Sequence, residues 1–106
     1  MKPAHFHILV ALAARDLHGA EIKREVLRLS QGELTLWPTT LYSSLDELAS
    51  RQWIEELDHS PGGASERRRY YRISDTGREA MAQETRRLSK LVEAACRHNP
   101  VQGEEA

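Results

Sequence analysis

LTLWPTTLYSSLDELASRQWIEEL, residues 34–57, holds a helix start, a helix and the opening of a strand. Pro38 suits a first helical position, where its missing N–H is not needed and its fixed φ already fits. Leu41, Leu45 and Leu48 recur at spacings of four and three, which makes one apolar stripe. At about 100° per residue, Thr39, Ser43, Asp46 and Ser50 point away from that stripe, with Tyr42 on its flank. The outer face is small and hydroxyl-bearing at Thr39, Thr40 and Ser43, then acidic at Asp46 and Glu47.

Two helices are predicted upstream. The first runs from about Pro3 to Arg15, with Phe6, Leu9, Val10 and Ala13 on one apolar face. It is nearly apolar all round, which places it centrally in a core. DLHGAE, residues 16–21, interrupts it, and a second helix follows over Ala20–Ser30 with Ile22, Val26 and Leu29 inward. Glu21–Arg24 and Glu25–Arg28 are spaced to pair on its surface, and Gly32 stands where a C-terminal cap belongs.

Downstream, Trp53–Leu57 and Arg69–Ser74 read as two short strands. The alternation puts Arg69, Tyr71 and Ile73 on one side and Tyr70, Arg72 and Ser74 on the other. Between them Pro61-Gly62-Gly63 signals a turn, so the pair forms a hairpin with a long polar tip. Ser74 or Asp75 can cap a last helix reaching about Arg97, with Met81, Thr85, Leu88, Leu91, Val92 and Ala95 at near-heptad spacing. The last residues, NPVQGEEA, read as a frayed tail.

Three helices followed by a hairpin is the order of a winged helix-turn-helix. The fold expected is mainly α with a two-stranded wing, plus a C-terminal dimerisation helix. Residues 1–74 form the winged domain, 75–98 the dimerisation helix and 99–106 a flexible tail. In such a fold the third helix enters the major groove of double-stranded DNA and reads bases with its N-terminal residues. Thr39, Thr40, Tyr42 and Ser43 are the expected base-facing set. ERRRYYR, residues 66–72, concentrates four arginines in a chain whose formal net charge is −1. Arg67, Arg68 and Arg69 stand where a wing neutralises phosphates or reaches into the minor groove, and Tyr71 is expected to pack inward.

With 106 residues, 40% apolar and 29% charged, the chain has the composition of one small soluble domain. Phe6–Ala14 is about half the length of a membrane span and reads as a buried helix, not as the apolar part of a signal peptide. One cysteine, Cys96, excludes an internal disulfide and fits a cytoplasmic protein. His5 and His7 point about 200° apart on a helix and cannot share a metal ion. His18, His59 and His98 add no ligand spacing, and no motif activates a serine. No metal, cofactor or enzymatic activity is expected.

The residues also resemble the PadR family of bacterial transcriptional regulators. The resemblance runs through HFHILVALA, LHGAEI, LTLWPTTLYSSLDELASRQWIEE and ERRRYYRISDTGREAM, in order and over nearly the whole chain. It implies a dimeric winged helix, usually a repressor, on inverted-repeat operators, with a C-terminal helix as dimer interface. A single such helix is similar to the family's small subgroup. Where the family commonly has glycine this chain has Thr39 and Gln52, and where it has an aromatic the chain has Ala20.

The apolar stripe of the last helix, left in water, would be a patch that monomers avoid. A two-fold interface built from Met81, Leu88, Leu91, Val92 and Ala95, completed by Phe6 and Leu9 of the first helix, removes it. Some relatives stack flat ligands on an interface aromatic, but this last helix has no Phe, Tyr or Trp, so a small-molecule effector stays open. Trp37 and Trp53 bracket the third helix and are expected to pack. The competing reading is a winged helix used for protein contact, an antirepressor or partner-binding module, which near-neutral charge would suit.

Overall fold

The structure, a computed structural model, describes residues 1–57 and 69–99. Arg67, Arg68, the Pro61-Gly62-Gly63 turn and the tail from residue 100 onward lie outside the described residues. The elements are α1 (Pro3–Ala14), β1 (Leu17–His18), α2 (Gly19–Leu29), α3 (Pro38–Ser50), β2 (Ile54–Glu56), β3 (Tyr70–Ile73) and α4 (Asp75–His98).

Helix α1 packs against α2, α3, α4 and β3. Its inner face is His5, Ile8, Leu9 and Leu12, spaced for one side of a helix. Leu9 is fully buried there and belongs to the core. The expectation that it joins a dimer interface is corrected. An all-apolar helix gives periodicity no phase, so its inner side could not be read from the sequence.

Helix α2 starts with a capping box in which histidine replaces the usual Ser or Thr. The Glu21 N–H donates to His18 Nδ1 at 3.4 Å, and the His18 N–H donates to Glu21 Oε1 at 3.1 Å. Glu21 therefore turns back toward His18 and Arg15 and does not form the expected pair with Arg24. Glu25 and Arg28 do pair, at 2.7 Å. Past the end of α2 both Gln31 and Gly32 take positive φ, and the Gly32 N–H closes onto the Leu27 carbonyl at 2.8 Å.

The hairpin gains a third strand. The sheet order is β1-β3-β2, all antiparallel, with Leu17 opposite Tyr71 and Ile54 opposite Ile73. Leu17, Ile54, Tyr71 and Ile73 all enter the core, joining Ile8, Leu9, Leu12, Ile22, Val26, Leu36, Leu41, Leu45 and Leu48. Each such aliphatic burial contributes about 1.5–3 kcal/mol.

The start of α4 is clamped to the end of α3. The Ser74 hydroxyl accepts the Gly77 N–H at 3.0 Å and donates to the Gln52 carbonyl at 2.6 Å. Gln52 sits at φ 63, a left-handed conformation that favours glycine. A Cβ on Gly77 would stand 2.0 Å from the Trp53 carbonyl oxygen, so only glycine lets the backbones approach this closely. Beyond this root the first half of α4 lies on α1, with Met81 against the core and Glu84 buried. Glu84 is held by Arg87 at 2.6 Å, which keeps its carboxyl below the usual range.

Candidate nucleic-acid interface

Helix α3 buries Leu41, Ser44, Leu45 and Leu48, which turns Thr39, Thr40, Tyr42 and Ser43 outward. All four are exposed, Tyr42 by 46%. No side chain caps the helix and no acidic residue stands in its first turn. The orphan amides and the macrodipole of that end therefore favour an anion.

Tyr42 leans across to α2. A Cβ on Gly19 would meet its hydroxyl at 2.8 Å, so Gly19 makes room for the tyrosine. Beside them opens a hollow of about 710 Å³ lined by His18, Gly19, Ala20, Glu21, Arg24, Tyr42 and Arg69. Two guanidinium groups and a phenol stand here beside the Glu21 carboxylate, which with His18 already caps the start of α2. The sequence spacing pairs Arg24 with Glu21 on the surface. Because Glu21 caps His18, Arg24 has no carboxylate in salt-bridge distance among the described residues. Ala20 keeps the hollow open where a larger side chain would fill it.

Of the wing arginines only Arg69 is described. It is exposed and lies 3.7 Å from Glu56 on the neighbouring strand. Arg72 is paired with Asp16, to which its Nε and one terminal nitrogen donate at 3.2 and 2.8 Å. Tyr71 is buried, and its hydroxyl's pKa is raised by loss of water. Tyr70 stands edge-on to the His18 ring at 5.3 Å.

Of the two acidic residues of α3, Asp46 is exposed and Glu47 is tied to the chain's start. Glu47 accepts from Lys2 at 3.3 Å, and its Oε1 lies 3.6 Å from His5 Nε2. His5 is buried with that nitrogen lacking a hydrogen-bond partner, and burial pushes its pKa down. The two tryptophans differ. Trp53 packs against the core with Arg51 over its ring, whereas Trp37 is 64% exposed with Lys23 over its ring at 4.9 Å. The expectation that Trp37 packs inward is corrected. As the N-cap residue it precedes the helix, so the leucine stripe does not carry it into the core.

The model of the transcriptional regulator PadR-like family matches residues 8–83, from the middle of α1 through the first turns of α4. The chain belongs to the PadR-like family. Its fold is similar to a PadR family transcription regulator from Clostridium difficile, with TM-score 0.79, 20% identity, and 92% of this chain and 98% of that one covered. A transcriptional regulator from Clostridium thermocellum is similar with TM-score 0.76, 23% identity and 89% and 87% coverage. F93 from STIV, a winged-helix DNA-binding protein, gives TM-score 0.69, 18% identity and 87% and 94% coverage. A comparison with curated proteins gives no match.

The PadR-like chain leaves the second half of α4 uncovered. Leu91 and Val92 are 58% and 60% exposed, Ala95 is exposed, and Leu88 is half-buried. Phe6 on α1 is half-buried, and Met81 is packed on its own chain. Among the described residues no helix is long and apolar enough to cross a membrane, and no three His, Cys, Asp or Glu side chains converge as a metal site requires.

Proposed function

We propose that this chain is a cytoplasmic DNA-binding repressor that grips an inverted-repeat operator as a two-fold homodimer. The observation that carries the reading is the N-terminal half of α3, exposed, hydroxyl-bearing and free of acid, beside Arg24 and Arg69. In this reading Thr39, Thr40, Tyr42 and Ser43 meet base edges, while Arg24 and the wing residues Arg67, Arg68 and Arg69 meet phosphates. The net charge of −1 is no obstacle, because Arg24 and Arg69 stand together beside the N-terminal half of α3 and Glu47 is paired with Lys2. Leu88, Leu91, Val92 and Ala95 pair with a second copy, with Phe6 at the margin. An inverted repeat about one helical turn apart matches that symmetry.

The test is binding to duplexes from the DNA upstream of the chain's own gene, followed by anisotropy at several salt concentrations. Arg24→Ala and Arg69→Ala should each flatten the log-affinity against log-salt slope by about 0.9. Ser43→Ala should change operator preference, costing about 1–3 kcal/mol at one base pair. A protein that binds no duplex even at low salt sinks the reading and favours the partner-binding module.

A further inference from the structure

Among the described residues, Trp37 is the most exposed large apolar side chain. It occupies the N-cap of α3, a position that Ser, Thr, Asp and Asn favour because a side-chain oxygen there accepts a free amide. Trp37 offers no oxygen, so the amides of Thr39 and Thr40 keep no partner within the helix. Neither burial nor capping explains an indole at this place.

Its neighbours point to an anion. Lys23 reaches from α2 to hold its ammonium 4.9 Å from the ring centroid, and no carboxylate pairs with it among the described residues. Gly19 and Lys23 are one turn apart on α2, so both face α3. Gly19 lies against Leu41 and Tyr42, and Lys23 lies against Trp37. The exposed Thr39 and Thr40 stand between these two contacts along α3. A ring, a cation and two free amides at the edge of a base-reading surface match one DNA element, the sugar–phosphate backbone.

We infer that Trp37 and Lys23 form a backbone grip on DNA at the N-terminal end of the recognition helix, one turn along α2 from Gly19 and the Tyr42 hollow. The indole ring packs on a deoxyribose, its N–H donates to a phosphate oxygen, and Lys23 neutralises that phosphate or the next. The grip is independent of sequence. It rests on the DNA-binding reading above and adds a contact to it.

The deciding variant is Trp37→Ser, which removes the ring and supplies the missing cap. Its melting temperature should rise, while its affinity for a 30-base-pair mixed-sequence duplex at low salt should fall by about tenfold. Lys23→Gln should flatten the salt slope by about 0.9. Saturating duplex should change the tryptophan emission of the wild type but not that of Trp37→Phe, in which Trp53 alone reports. Equal affinity of Trp37→Ser and wild type overturns the inference and leaves the DNA-binding reading standing. So does a Trp37→Ser protein that melts lower, or an emission change retained by Trp37→Phe. A wild type that binds no duplex overturns both.

Discussion

At its C-terminal end helix α3 is bound into its own chain. Glu47 is held by Lys2, Trp53 packs on the core, and Gln52 hands its carbonyl to Ser74. At the N-terminal end only Lys23 over Trp37 and Gly19 against Tyr42 touch it from α2, and Trp37, Thr39, Thr40 and Ser43 are exposed. Helix α4 has the same asymmetry. Its first half is rooted by Gly77 and buries Glu84, and its second half exposes Leu91 and Val92. The anchored segments are polar groups matched within the chain. The open ones find no partner among the described residues, and under the proposed function DNA meets the first and a second copy the other.

The contrast can be broken most severely at the open half of α4. Leu88→Glu with Val92→Glu should give monomers by sedimentation and abolish operator binding, while the helical circular dichroism of the domain persists. An unchanged sedimentation coefficient would place the interface elsewhere. At the anchored root, Gly77→Ala sets a methyl into the Trp53 carbonyl and should cost about 3 kcal/mol in urea denaturation.

A smaller effect, dependent on pH, belongs to His5. Facing Glu47, with Lys2 and Arg51 nearby, it is kept neutral chiefly by burial, so the unfolded chain takes up the proton first. Stability should be full above pH 6.5, the ordinary histidine value, and should decline as pH falls below it. His5→Leu should remove that decline, leaving only the loss at lower pH where Glu47 and Glu84 are protonated. A melting curve with the same pH profile in the variant would refute the assignment. The smallest change runs in the other direction. Gln52→Gly relieves a left-handed residue and should stabilise by about 0.5–1 kcal/mol, read as a rise in melting temperature.

Much of this architecture is legible in the residues. Pro38 and the leucine stripe mark α3 because a helix start and a spacing of four and three are local properties. The last helix is equally plain, because Ser74 is a strong cap and the run after Gly77 has no breaker. What escaped depends on partners distant in sequence. Strand β1 is two residues long and exists because Leu17 and His18 find Tyr71 and Tyr70. Arg24 reads as paired until Glu21 turns to cap His18. Leu9 and Trp37 fail for opposite reasons: Leu9 lies on a helix without a polar side, and Trp37 lies just outside the helix whose pattern would place it. The hollow between α2 and the wing has no sequence signature beyond the small Gly19 and Ala20.

The junction at Gly77 also makes α4 a lever. Its 24 residues span about 36 Å, and its fulcrum touches Trp53, three residues past the end of the recognition helix. A tilt of only about 5° at that fulcrum would displace the far end by about 3 Å, close to the 3.4 Å rise of one base step. In a dimer joined through the far ends, the separation of the two recognition helices is therefore geared to the angle at a single glycine. Half-site spacing would be set there, far from any residue that touches a base.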